Sequence, residues 1–327
     1  MTAMTTTQHH PQRRARAPLR VLAVALGAAA ALAVVGGADA ERADAKFTMG
    51  VYQDDPVRGI RPLRRAVGGK VRVVSVYLSA GKPLSPRLIR LANANRLKLM
   101  ITWMPDNGTA RRNQPRFRLA KIARGSQDRN LVRLGRQTRK LRIPPIIRPM
   151  PEMNTPWYPW SGTANRNNAK KYKAAFRRVR KRLKRGGGRR VKVMWAPYVR
   201  SFPERPTNTI ANYFPGRSNV DVVGASGYNF GTVRSLAWTD PYDLFRVAYR
   251  DITALAAKPF WIAETGSTGK GGNKALWISR MGKLQGKFPK LQGIVWYDVR
   301  ERNGDFRVRQ NKRTLRTFRA MLRKRAK

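Results

Sequence analysis

Four glutamates follow Lys46 in this chain: Glu152, Glu204, Glu264 and Glu301. Two of them directly follow short apolar runs, Glu152 in "IPPIIRPMPE" and Glu264 in "AKPFWIAE", and runs of that kind read as buried strands. Glu204 in "SFPERP" and Glu301 in "VRERNG" have polar, loop-like surroundings and read as solvated surface acids. A pair of carboxyl groups at strand ends suits the cleavage of a glycosidic bond. One can give a proton to the departing oxygen while the other attacks the sugar or activates water.

Other chemistries lack their residues. The chain has no cysteine, and its two histidines, His9 and His10, stand near the N-terminus. The remainder therefore holds no Ser-His-Asp or Cys-His triad and no zinc site of the usual nitrogen and sulfur ligands. The carboxylate reading requires neither metal nor cofactor. Without disulfides, stability has to come from packing, which a chain of this length permits.

The two glutamates need elements that bring them together across 112 positions. Eight apolar runs read as strands: 47–52, 71–78, 97–103, 144–150, 191–196, 220–226, 259–264 and 293–298. Helical segments lie between them. "SPRLIRLANAN" has Ser85 as N-cap and Pro86 at the first helical position, and a further helix runs from Ser126. "NNAKKYKAAFRRVRKRLKR", "PYDLFRVAYRDITALA", "KALWISRMGKLQGKF" and "KRTLRTFRAMLRK" carry apolar residues at spacings of three and four. Strand and helix in alternation imply parallel pairing through right-handed crossovers, and eight such units predict a closed (β/α)8 TIM barrel in a single domain, residues 46–327. A doubly wound open sheet is the alternative. In a barrel the strand C-termini carry the active site, which places Glu152 after the fourth strand and Glu264 at the end of the seventh. Strand alternation sets Ile146, Arg148, Met150 and Glu152 on one face, and Phe260, Ile262 and Glu264 on one face of the other strand. Arg148 is then expected to point inward beneath Glu152.

Residues 1–45 read as an export signal. A basic stretch with Arg13, Arg14, Arg16 and Arg20 precedes the apolar run "VLAVALGAAAALAVV" and small-residue sites ending at Ala40 or Ala45. The apolar run is short for a membrane span. A secreted or envelope-associated protein is expected, monomeric and with no membrane span once the signal is cleaved. The 69 Lys+Arg against 17 Asp+Glu give a formal net charge of +52. Because that excess occurs nearly everywhere, it points to adhesion to anionic cell-wall polymers or acidic polysaccharide rather than to specific nucleic-acid readout. The dense run at 177–190 reads as a solvated helix face, with Phe176, Val179 and Leu183 on its buried side.

Four fragments in this order, "RPMPEMNTPWYPW", "YFPGRSNVDVVGASGYN", "KPFWIAETGS" and "GIVWYD", resemble glycoside hydrolase family 26, the β-mannanase-like group within the clan of retaining (β/α)8 glycosidases. The resemblance covers most of the chain after the signal. It implies an endo-acting enzyme that cuts a β-linked, β-1,4-mannan-like polysaccharide by double displacement, with Glu152 as acid/base and Glu264 as nucleophile. It also implies that Tyr228 hydrogen-bonds the nucleophile and that Trp296 forms the platform under the sugar being cleaved. The retaining mechanism asks for carboxyl groups about 5 to 5.5 Å apart in unlike environments. Trp157, Tyr158 and Trp160 are expected to lower the polarity around Glu152, while Tyr228 and Arg148 donate toward Glu264. Trp157 and Trp160, in a Pro-rich loop, are expected to touch sugar.

One position departs from the family pattern. Histidine usually precedes the acid/base glutamate, and here Pro151 stands there, with no side-chain donor for a sugar hydroxyl. Asn154 is the candidate to supply a polar contact instead. A barrel that binds polysaccharide without cutting it, or a polyanion-binding barrel, is the alternative reading. Trp103 and Trp195 fit core or cleft equally, whereas Asp54, Asp55 and Asp298 read as helix caps or ion-pair partners of arginine.

Overall fold

A computed structural model describes residues 46–109, 111–233 and 236–327; the expected export signal, residues 1–45, lies outside the described residues. All eight apolar runs form strands: β1 (Thr48–Tyr52), β2 (Val71–Ser79), β3 (Lys98–Met104), β4 (Ile146–Pro149), β5 (Lys192–Trp195), β6 (Val222–Asn229), β7 (Phe260–Ser267) and β8 (Leu291–Tyr297). Each pairs in parallel with the next, and β8 closes onto β1. The sheet is a barrel, not the open alternative.

The helices are α1 (Pro56–Val67), α2 (Pro86–Ala94), α3 (Leu119–Ala123), α4 (Asp128–Thr138), α5 (Ala169–Gly187), α6 (Pro241–Leu255), α7 (Lys274–Met281), α8 (Leu284–Lys287) and α9 (Lys312–Arg325). Most begin where a short polar side chain satisfies an orphan backbone N–H. Asp55, Asn168, Asp240, Asn273 and Asn311 each accept such a bond at 2.8–3.1 Å. Ser85 holds the N-cap position of α2 but makes no such side-chain bond. Helix α1 was not anticipated, because Pro62 sits inside it and a mid-helix proline argues against a helix from sequence. The β5–β6 connection has no α-helix; three single turns, Pro206–Asn208, Ala211–Tyr213 and Arg217–Asn219, take its place.

Two apolar layers result. Val73, Met100, Ile146, Met194, Trp261 and Val295 fill the barrel interior, and a larger layer lies between strands and helices. Phe176, Val179 and Leu183 of α5 are fully buried, as its pattern predicts. Its basic face is not simply solvated. Arg178 and Arg182 both reach Asp128 of α4, at 2.5 and 2.8 Å, while Arg180 and Lys184 both reach Asp221 before β6, at 3.2 and 2.9 Å. Among the described residues, no helix is long and apolar enough to cross a membrane.

Helices α4 and α5 meet through glycines. A Cβ at Gly135 would lie 2.5 Å from the carbonyl oxygen of Leu183, and one at Gly186 would lie 2.2 Å from that of Val132. In an open helix Gly→Ala would add roughly 1 kcal/mol of stability. Here the added methyl meets the partner's backbone, and overpacking costs about 1–3 kcal/mol. Gly135→Ala and Gly186→Ala are each expected to lower the urea midpoint; a raised midpoint would refute this close helix contact.

Candidate active site

Two breaks in strand regularity aim the glutamates. On β4, Ile146 and Arg148 face the barrel interior and Ile147 faces the helices. Simple alternation fails after Pro149. Met150 (φ 48°) and Glu152 (φ 55°) both adopt the left-handed region, which non-glycine residues enter at a cost and mostly at functional sites. Met150 consequently turns into the outer apolar layer, contrary to its expected place on the Arg148 face, and Glu152 turns back over the barrel mouth. Surrounding bonds hold this path: Met150 N–H donates to Trp103 O (3.0 Å), Glu152 N–H to Ala196 O (2.9 Å) and Tyr172 Oη–H to Met150 O (3.1 Å).

On β7 the break is an extra residue. Ala225 of β6 opposes Ile262, but the next residue, Ser226, opposes Glu264. Ala263 is thus inserted as a β-bulge, a device that re-aims a side chain. Phe260 and Ile262 belong to the outer layer, whereas Trp261 and Ala263 belong to the interior. The expectation that Phe260, Ile262 and Glu264 share a face is therefore wrong. The bulge brings Glu264 inward with Ala263.

Beneath the mouth lies Arg148, 1% exposed. Its Nη2 donates to Glu264 Oε2 at 2.6 Å, its Nε to Thr102 Oγ1 at 2.9 Å, and its Nη1 to Ser226 Oγ at 3.1 Å and to the bulged Ala263 carbonyl at 3.3 Å. Burial alone would lower the pKa of this guanidinium, but Glu264, Tyr77 and Glu152 together raise it. The second oxygen of Glu264 accepts from two phenols, Tyr77 of β2 and Tyr228 of β6. Burial first, and then the charge of Glu264, hold both phenols well above their ordinary pKa. They stay donors.

Glu152 has the opposite environment. It is 6% exposed, and burial, then the negative charge of Glu264, push its pKa from the ordinary 4.5 to about 7 against the pull of Arg148, Trp157 and Ser226. Its Oε2 accepts from Trp157 Nε1–H at 3.1 Å. Both carboxyl groups line a cavity of about 720 Å³ whose wall is largely aromatic, with Tyr77, Trp157, Tyr158, Tyr198, Tyr228 and Tyr297 among its residues. Tyr52 stacks on Tyr297 with centroids 5.1 Å apart, and Trp157, Tyr198 and Phe202 form a second aromatic cluster.

Of the residues singled out in the sequence, Glu152, Glu264, Trp157 and Tyr228 reach this cavity and Arg148 lies under it. Three do not reach it. Asn154 is fully buried, its amide spent on the β5 loop: Nδ2–H donates to Tyr198 O and Ser201 Oγ, and Oδ1 accepts from Tyr198 N–H. Trp160 is fully buried, stacked on Tyr158 and bonded through Nε1–H to Pro151 O. Trp296 faces away from the interior that Val295 occupies and packs on Trp277 and Phe318, with Nε1–H on Phe306 O. Its neighbour Tyr297 lines the cavity in its place. Trp103 and Trp195 are core residues. Asp55 caps α1, and Asp298 accepts from Gln53 Nε2–H and Val308 N–H.

Sequence reading missed Tyr77, Tyr198 and Tyr297. Two were within reach of alternation, since Tyr77 shares a face with Val73 and Tyr297 with Val295, both interior residues. Tyr198 follows β5 in an irregular segment and had no such signal.

The raised pKa of Glu152 carries a stability cost. The folded state binds an extra proton between about pH 4.5 and 7, so this group's contribution falls as pH rises through that window. Glu152→Gln removes it. Relative to wild type, the variant is expected to gain nothing near pH 4 and up to roughly 3 kcal/mol above pH 7, measured by urea unfolding across pH. A difference constant with pH would show that Glu152 is not perturbed.

Residues 118–296, more than half of the chain, match the sequence profile described as Glycosyl hydrolase family 26. Over 226 residues the chain is 29% identical to Endoglucanase H of Acetivibrio thermocellus, covering 68% of this chain and 24% of that protein. It therefore spans about a quarter of that relative's length. The fold is similar to that of a GH26 β-mannanase from Bacteroides ovatus, with TM-score 0.64 and 17% identity over 87% of this chain and 90% of that one. It is similar also to the catalytic domain of a GH26 endo-β-1,4-mannanase from Bacillus sp. JAMB-750, with TM-score 0.65 and 15% identity over 86% and 87%. A closed eight-stranded barrel with two buried glutamates at its mouth and a profile match across most of its strands have one common explanation: the chain belongs to glycosyl hydrolase family 26.

Proposed function

We propose that this glycoside hydrolase is an exported, retaining, endo-acting β-glycosidase in which Glu152 is the acid/base and Glu264 the nucleophile. The observation that carries the assignment is the unlike treatment of two carboxyl groups in one cavity. Glu152 is biased toward its protonated form near neutral pH, and Glu264 accepts from Arg148, Tyr77 and Tyr228. In the first step Glu264 attacks the anomeric carbon as Glu152 gives its proton to the departing glycosidic oxygen. In the second, Glu152 takes a proton from water, which displaces Glu264 from the sugar. Arg148 and the two phenols hold Glu264 in place and reclaim its charge when it leaves.

The leaving sugar lies on the side of Glu152, against Trp157, Tyr198 and Phe202. The sugar that becomes bonded to Glu264 lies toward Tyr52 and Tyr297, which take the platform role expected of Trp296. Trp157 combines two parts, since its ring borders the cavity and its N–H fixes the carboxyl of Glu152.

A β-1,4-mannan-like polysaccharide is the substrate proposed. A second reading, β-glucan, is favoured by the name of the endoglucanase relative and by Pro151 in place of the usual histidine. The leader-like residues 1–45 support export. Purified protein incubated with β-mannan, mixed-linkage β-glucan and β-xylan is expected to release sugar from one of the first two. Glu152→Gln and Glu264→Gln are each expected to lower kcat by about 10³-fold or more. Variants that release sugar as fast as wild type would overturn the assignment.

A further inference from the structure

The excess positive charge reads as diffuse along the chain, but the fold gathers most of the acidic residues on one side. The chain has 17 acidic residues, of which Asp39, Glu41 and Asp44 precede the described region. Eleven of the remaining fourteen lie between the C-terminal half of a strand and the first turn of the next helix, which is the cleft side of the barrel. The three exceptions are Asp128, Asp221 and Asp251, and all are neutralised, the first by Arg178 and Arg182, the second by Arg180 and Lys184, the third by Arg250.

The opposite rim is cationic. Six of the eight strands begin with a lysine at, or within two residues before, their first position: Lys46, Lys70, Lys98, Lys192, Lys258 and Lys290. Five of these belong to β7, β8, β1, β2 and β3, which are consecutive around the barrel. They form one arc, with neighbouring strands about 5 Å apart. Among the described residues none of the six forms an ion pair. Basic residues also fill the last turns of α1, α5 and α9 on the same side, where the helix dipole accounts for them. The strand-start lysines serve no helix end of their own. They crowd instead: burial, then Lys327 and Lys192, lower the pKa of Lys98. Like charges held together in this way raise the free energy of the unliganded surface and favour an anionic partner.

We propose that this lysine rim, on the face opposite the cleft, docks a linear acidic polysaccharide whose carboxylates pair with the lysines along the arc. A slender chain with charges along its length can follow the arc, whereas a rigid nucleic-acid duplex meets a ring only along a chord. None of the strongly exposed large apolar side chains among the described residues lies at a strand start. The rim thus has no stacking platform for bases and no apolar wedge for a bilayer. Docking there leaves the cleft facing outward, free to take a neutral polysaccharide from the same surroundings.

Binding is measured on beads carrying polygalacturonate over a range of NaCl concentrations. The readout is independent of catalysis, so it is decided whether or not the proposed glutamate roles hold. Wild type is expected to bind and to be released by salt, and not to bind fully methyl-esterified polymer. A variant with Lys70→Gln, Lys98→Gln, Lys192→Gln, Lys258→Gln and Lys290→Gln is expected to lose about tenfold or more in affinity, with a shallower salt slope. A control with Arg111→Gln, Arg116→Gln, Arg118→Gln, Lys170→Gln and Lys270→Gln removes the same charge from the cleft side and is expected to stay within about twofold. Should the rim variant fold poorly, acetylation of wild-type lysines with and without polygalacturonate decides the matter: the rim lysines are expected to be protected and Lys170 and Lys270 not. Equal losses in both variants, uniform protection, absence of binding, or equally tight binding to duplex DNA or anionic vesicles would each overturn the proposal.

Discussion

The buried contact between Arg148 and Glu264 is the interaction around which the barrel mouth is arranged. Taking two opposite charges out of water costs several kcal/mol per ion, and a pair persists only where the remaining donors and acceptors are also matched. That condition is met from four strands. Thr102 of β3, Ser226 and Tyr228 of β6, Ala263 of β7 and Tyr77 of β2 supply the other bonds to Arg148 on β4 and to Glu264. The same charge that Arg148 stabilises acts on Glu152, which among the described residues has no cation bonded to it and answers by holding its proton. One ion pair thereby divides two chemically identical side chains into unlike partners.

Regular strands would not deliver this arrangement. The interior of the barrel is apolar, and strict alternation would send Glu264 outward into the layer that receives Ile262. The inserted Ala263 corrects the phase and at the same time turns its carbonyl toward Arg148, so the irregularity becomes part of the site it serves. Left-handed Met150 and Glu152 do equivalent work after β4. Both departures rest on neighbouring strands, which is why their cost is tolerated.

Composition and periodicity made the eight strands and the two glutamates legible, because burial on both faces leaves uninterrupted apolar runs that few other elements produce. Arg148 was readable as well, since alternation holds as far as Pro149. What escaped was local phase. Neither the bulge nor the left-handed residues has a glycine to mark it, so Met150, Phe260 and Ile262 were assigned to the wrong faces. The family likeness implies Trp296 as the platform, yet the smaller Tyr297 has the correct parity. Asn154 and Trp160 lie in the right loop but are consumed in building it. Pairing partners in the tertiary structure, which no local pattern encodes, decided those cases.

The missing helix between β5 and β6 leaves Tyr198 and Phe202 on a segment anchored by amides. Asn154 and Asn208 bond its backbone through their side chains, and Asn208 accepts from Tyr213. A few aromatic and aliphatic anchors join it to the outer apolar layer, Tyr213 against Tyr172 of α5 and Phe214 against Trp195 of β5, with Val199 and Ile210 beside them. That border of the cavity is accordingly shaped by side-chain amides and single aromatic anchors, not by the register of a helix, so the placement of Tyr198 and Phe202 is decided one contact at a time.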